Sequence, residues 1–265
     1  GEHLSGYGHD DVVQLDVTAK FQSMFSQFMW AFPNVQIVQL NHTDMEEIAS
    51  GIFENHSNYI LNTLSIDTCN VNRINANAFI GLHNLKHLHI WSCKVQVLDD
   101  QAFYGLQNLE ELNLFDNELT EVSPKALEPL VNLNHFSASF NQITHIDGQL
   151  FTNNPLLHTI YFYNNLIASI QRTFIDGLSH LRYLMMGLNV CINQNFLINN
   201  IDDLQAVHDA LETCYEAFVT TTVSTTISTS TVIPSTTEEI TTITSTDPTT
   251  QSTTVLPPTT TTRST

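Results

Sequence analysis

Three consecutive stretches of this chain align without a gap: NLKHLHIWSCKVQVLDDQAFYGLQ (84–107), NLEELNLFDNELTEVSPKALEPLV (108–131) and NLNHFSASFNQITHIDGQLFTNNP (132–155), each 24 residues long. Apolar residues recur in fixed columns. The first copy places Leu85, Leu88, Ile90, Val95, Leu98, Phe103 and Leu106, and the second Leu109, Leu112, Leu114, Leu119, Val122, Leu127 and Leu130. The third keeps Leu133, Phe136, Ala138, Ile143, Ile146 and Phe151, with Asn154 breaking the last column. Flanking copies begin at Val35, Leu61, Leu157 and Leu181. A unit this short cannot enclose its own apolar face. Neighbours must stack into one continuous core, so the period restricts the chain to a solenoid with covered ends.

Counting from the first apolar position, the ninth column reads Thr43, Cys69, Cys93, Asn117, Asn141, Asn165 and Asn189. The pattern L-x-x-L-x-L-x-x-N/C-x-L at this period resembles the leucine-rich repeat family over about residues 35–190. The segments NAFIGLHNL and QAFYGLQNL make it most similar to insect secreted proteins of that family and to Toll-like and Slit-like ectodomains. The resemblance implies an α/β repeat solenoid: a horseshoe with a parallel concave sheet and about seven repeats of ~24 residues. It also implies non-catalytic recognition, in roles such as innate immunity, adhesion or receptor signalling.

Four segments are expected. Residues 1–34 would form an N-terminal cap, with DVVQLDV as an edge strand and KFQSMFSQFMWAF sealing the first repeat. Residues 35–190 are the repeats, 191–218 a capping helix, and 219–265 a disordered Thr/Ser-rich tail. Ile201, Leu204, Val207, Leu211, Cys214 and Phe218 recur at helical spacing, with Asn200 placed to cap the helix and Asp202 and Asp203 in its first turn. Cys191 and Cys214 are expected to pair, two free thiols being the alternative; a single bridge departs from the four-cysteine cap common among extracellular relatives. Cys69 and Cys93, in one column of adjacent repeats, are expected to be buried thiols rather than a cross-strand disulfide, because neighbouring parallel strands seldom offer the required torsion.

Eight basic and 27 acidic residues give a formal charge of −19. That argues against nucleic acid and anionic membranes and favours a basic or neutral protein partner. No apolar run reaches the roughly 18 residues of a membrane span, so no membrane insertion is expected within this sequence, and GEHLSGYGHDD has no signal-peptide character. The tail, dense in Thr and Ser with scattered Pro, reads as an O-glycosylated, mucin-like stalk, an unmodified linker being the alternative. With sequons at Asn41 (NHT) and Asn55 (NHS), it favours a secreted or cell-surface glycoprotein with its signal removed or truncated over an intracellular protein.

Strand alternation puts columns four and six in the core and columns three, five, seven and eight on the concave face. Trp91, Phe115, Phe140, Tyr161, Tyr163 and Tyr183 are then expected to form one diagonal aromatic stripe, with His89 beside it and Glu110, Glu111 and Asp116 as an acidic border. Exposed aromatics on a rigid face suit protein binding; the alternative is that they pack only on one another. His87, His89, Glu111 and His135 also invite a zinc reading, disfavoured because strand lanes gather polar residues without a ligand. No cofactor is expected, and no nucleophile elbow, phosphate loop or H-E-x-x-H motif occurs. The expected function is extracellular, non-catalytic recognition of a protein or microbial ligand. A structural matrix or mucosal component is the alternative, and an intracellular adaptor a third reading.

Overall fold

The computed structural model describes residues 12–16, 35–42, 45–54 and 60–228. The aromatic segment 20–32, Asn55 with its sequon, and the Thr/Ser-rich residues 229–265 lie outside the described residues.

Each repeat contributes one strand to a sheet and returns through an irregular outer segment. In chain order the elements are β1 (Val12–Asp16), β2 (Ile37–Asn41), β3 (Glu47–Ile48), β4 (Thr63–Asp67), β5 (Arg73–Ile74), β6 (His87–Trp91), β7 (Val97–Leu98) and β8 (Glu111–Asn113). They continue with α1 (Pro124–Leu127), β9 (His135–Ser137), β10 (His145–Ile146), β11 (Thr159–Tyr161), β12 (Ser169–Ile170), β13 (Tyr183–Met185), β14 (Asn195–Leu197) and α2 (Ile201–Ser228). Among the described residues nine strands form one sheet in the order β1-β2-β4-β6-β8-β9-β11-β13-β14. All neighbours in it are parallel except β13 and β14. Like columns pair: Thr63 with His87, His87 with Glu111, Glu111 with His135. On the outer side β3-β5-β7 and β10-β12 form two narrow sheets.

The columns of the sequence become layers of the core. Leu64, Leu88, Leu112, Phe136, Ile160 and Leu184 in column four, and Ile66, Ile90, Leu114, Ala138, Phe162 and Met186 in column six, are buried. Phe53, Phe79 and Phe103 stack at centroid distances of 5.8 and 5.9 Å beneath the outer segments. Gly81 makes one such turn possible. It sits at φ +104°, and a Cβ there would lie 2.2 Å from the carbonyl oxygen of Phe53.

The ninth column closes the backbone accounts of the bend. Asn141 accepts from the Leu119 N–H (3.0 Å) and donates to the carbonyls of Leu114 (2.9 Å) and Ala138 (3.1 Å). Asn165 repeats this with Ile143, Ala138 and Phe162, and Asn189 with Ile167, Phe162 and Met186. Side-chain amides thus satisfy buried groups that have no strand partner. Cysteine serves where the backbone supplies the acceptor itself: the Val71 N–H donates to the Cys93 carbonyl at 2.9 Å. The Cys69 and Cys93 thiols donate to the carbonyls of Asp67 and Trp91, both at 3.1 Å. Both thiols are buried outside the disulfide, and a hydrogen bond with Cys69, reinforced by burial, holds the Cys93 thiol far above its ordinary range.

Every described residue of the eighth column from His42 to Leu188 has φ between +50° and +57°. This left-handed step turns the chain out of the sheet and aims column nine inward. The sequence offers little warning of it, because only His42, Asp116 and Asn164 in that column are residue types enriched in such a conformation.

At the C-terminal end the chain reverses, and β14 pairs antiparallel to β13, so the last parallel edge is covered. Asn195 Oδ1 accepts from the Gly187 N–H at 2.9 Å and Asn193 Oδ1 from the Leu188 N–H at 2.8 Å. Helix α2 follows. Asn200 Oδ1 accepts from the N–H groups of Asp202 and Asp203, and Asp203 Oδ2 accepts in return from those of Asn199 and Asn200, a reciprocal cap. Val207, Leu211, Cys214 and Tyr215 are buried, and the helix packs against β12. Cys191 and Cys214 are joined by a disulfide, with Cα atoms 5.2 Å apart. Arg172 lies 4.5 Å from the Tyr215 ring and makes a two-toothed contact with Glu212 (2.7 and 2.8 Å), while burial pushes the Tyr215 hydroxyl up to about 12. The helix runs on to Ser228, into the Thr-rich segment.

Candidate ligand-binding face

Columns three, five, seven and eight of the sheet face are the candidate site. On it Trp91, Phe115, Phe140 and Tyr183 are 37%, 37%, 40% and 39% exposed; Tyr161, Tyr163, His89 and Glu111 are half-buried. The rings do not join into one stripe. Phe115 and Phe140 are 5.0 Å apart between centroids, and Phe140 and Tyr163 5.8 Å, forming a continuous triad where the strands end. Ser139, between Phe115 and Tyr163 in column seven, is small enough to be covered. The other aromatics pair with histidines: Trp91 with His89 (5.3 Å), Tyr161 edge-on with His135 (5.2 Å), and Tyr183 with His158 (5.6 Å). The triad belongs to columns seven and eight, whereas Tyr161 and Tyr183 stand in columns five and three, each beside a histidine of column three or its neighbour.

The structure adds residues to that edge. Leu188 extends column eight, and Leu166 and Val190 stand beside it in column ten; all three are exposed. The sequence signal was a break in polarity. Column eight otherwise carries His42, Thr68, Ser92, Asp116 and Asn164 besides Phe140, and column ten Lys94, Glu118 and Gln142.

The histidines surround one carboxylate. His89 Nε2 lies 3.2 Å from Glu111 Oε1, without an aligned hydrogen bond. This contact, with the nearby His135 and His87, holds the Glu111 carboxyl below the usual carboxylate range despite partial burial. Burial lowers His135, with Glu111 opposing. His87 Nδ1 and His89 Nδ1 turn instead toward Thr63 Oγ1 (3.3 Å) and Ser65 Oγ (3.4 Å). Among the described residues no three His, Cys, Asp or Glu side chains converge in metal-ligand geometry. Asn41, the remaining sequon asparagine, ends β2 and is half-buried.

The N-terminal edge of the sheet is different in character. A shallow depression of about 440 Å3 is lined by Asn84, Lys86, Asn108, Glu110, Asn132, Asn134 and Leu156. There Lys86 Nζ meets Glu110 Oε1 at 2.7 Å, so Glu110 belongs to this neutralised edge and not to a border of the aromatics.

A leucine-rich repeat family model matches residues 83–143. The fold is that of a leucine-rich repeat solenoid. Solved structures of similar fold include the TLR13–ssRNA13 complex (TM-score 0.54, 22% identity, 61% of this chain and 22% of that one). Also similar are Drosophila Toll in complex with Spatzle (0.50, 18%, 66% and 27%) and a Leptospira interrogans leucine-rich repeat protein (0.53, 21%, 70% and 50%). The chain therefore spans between about a fifth and a half of the length of these structures. No curated protein sequence matches. Among the described residues no helix of this leucine-rich repeat domain is long and apolar enough to cross a membrane.

Proposed function

We propose that this leucine-rich repeat domain is a non-catalytic recognition module, secreted or displayed at the cell surface, that binds a protein ligand on its concave face. The observation that carries the reading is the exposure of Trp91, Phe115 and Phe140 on a sheet whose core beneath is fully closed. Large rings contribute nothing to that core from where they stand, and they are the residue types that dominate interface energies. The site residues are Trp91, Phe115, Phe140, Tyr161, Tyr163 and Tyr183, with His89 and Glu111 beside them. The similarity in fold to Toll bound to Spatzle supports a protein ligand and a place in innate immunity or development. TLR13 is bound to single-stranded RNA, but the four concave columns here contain no Lys or Arg to meet phosphates. The Thr/Ser-rich tail supports display on a glycosylated stalk.

The test compares full-length protein with a Trp91→Ala/Phe140→Ala variant, each immobilised and exposed to extracellular fluid of the source organism. Proteins retained saturably by the first and lost by the second support the reading, given unchanged far-ultraviolet dichroism. Equal retention by both removes the concave face from consideration. Concentration-dependent self-association without saturable capture would favour a matrix component instead.

A further inference from the structure

We infer that the apolar ridge at the C-terminal edge of the sheet seats a basic protein segment, one that alternates Arg or Lys with aliphatic side chains. The inference rests on the concave-face reading and narrows it to one edge and one ligand chemistry. The centre of the ridge is the triad of Phe115, Phe140 and Tyr163, at centroid distances of 5.0 and 5.8 Å, and the exposed Trp91 and Leu188 occupy columns seven and eight one repeat before and one repeat after it. Phe140 and Leu188 both stand at φ +57°. A bulky residue in that region costs on the order of 1 kcal/mol relative to Asn or Gly. Phe140 and Leu188 remain 40% and 48% exposed there, so each leaves apolar surface open to a partner.

Charge selects the partner. Asp67 is the direct register neighbour of Trp91, and Asp116 is bound at 2.7 Å to Oγ of Ser92, the residue after Trp91, so the repeats on both sides of the indole's own carry a carboxylate at this edge. Asp67 accepts from the Thr68 hydroxyl, Asp116 from Ser92 and Glu118 from the Gln96 amide; among the described residues none of the three is paired with a cation. The opposite edge, by contrast, is neutralised by Lys86–Glu110. A guanidinium on the Trp91 face would meet both ring and carboxylate, the pairing for which its planar fork is suited. Intervening aliphatic side chains would cover Phe115 and Phe140.

The experiment titrates the full chain with two fluorescently labelled synthetic peptides of equal length, alternating Arg/Leu and alternating Glu/Leu, reading anisotropy at low and high salt. Saturable binding of the Arg/Leu peptide alone is expected. It should weaken about tenfold in Asp67→Asn/Asp116→Asn and in Phe140→Asn, the latter with no loss of thermal stability. Equal binding by wild type and variants would mean attraction to the overall charge of −19 and would overturn the inference. So would failure of the Arg/Leu peptide to bind. If the Trp91→Ala/Phe140→Ala variant nevertheless loses its captured proteins, the concave-face reading stands and only the basic-segment inference falls.

Discussion

Replacing Asn141 by Ala removes one rung from the middle of the asparagine ladder, and the structure says which groups are stranded. The Leu119 N–H loses its acceptor, Asn141 Oδ1 at 3.0 Å. The carbonyls of Leu114, Ala138 and Ser139 each lose a donor but keep another, from Asn117 Nδ2 (3.1 Å), Asn165 Nδ2 (2.9 Å) and the Asp116 N–H (3.0 Å). One orphaned buried N–H costs about 2 kcal/mol and the two amide protons shared among these carbonyls about 1 kcal/mol each, so the variant should lose about 4 kcal/mol. That is a large share of a typical domain's stability of about 5–15 kcal/mol. Asn141→Cys should fall between, since a thiol can still donate as Cys69 and Cys93 do but cannot accept from Leu119. The assay is urea unfolding of wild type and both variants, with amide exchange followed at Leu119. Because repeats couple mainly to their neighbours, the lost protection should centre on residues 114–143. An Ala variant within about 1 kcal/mol of wild type, with Leu119 still protected, would show that water or another carbonyl takes over; the ladder would then not hold the bend.

Three further outcomes are expected. Cys191→Ser/Cys214→Ser opens a loop with sequence separation 23 and should cost about 3 kcal/mol, read as a lower midpoint in thermal melts; an unchanged midpoint would mean α2 holds the cap without its bridge. Stability should fall steadily from pH 7 to pH 4. Burial lowers His135 in the fold, so the unfolded chain takes up that proton first as pH drops below 6.5, while Glu111, lowered chiefly by its contact with His89, gives stability above pH 4.5 that is lost beneath it. A flat profile between pH 7 and 5, or one unaltered by His135→Gln, would contradict this. Gly81→Ala, which forces a Cβ to 2.2 Å from the Phe53 oxygen, should destabilise by about 3 kcal/mol or more in the same melts; tolerance would mean the turn relaxes freely.

The sequence by itself determined the repeat architecture, the register of each strand and the residues of the core. One period repeated in register leaves a single way to bury Leu88, Leu112 and Phe136 together. It also placed the Asn200 cap and the spacing of Cys191 and Cys214, because capping and helical periodicity are local. Only the tertiary structure decided how the surface residues group. That Phe140 joins Phe115 and Tyr163 while Tyr161 turns to His135 depends on how side chains of adjacent repeats pack on one another. The covering strand β14 was hidden because three residues carry no periodicity of their own. The left-handed turn at column eight was hidden because it is imposed by the inward pull of column nine, whatever side chain stands before it. Periodicity fixes what is buried; the bend between strands, set by many repeats at once, decides what the face presents.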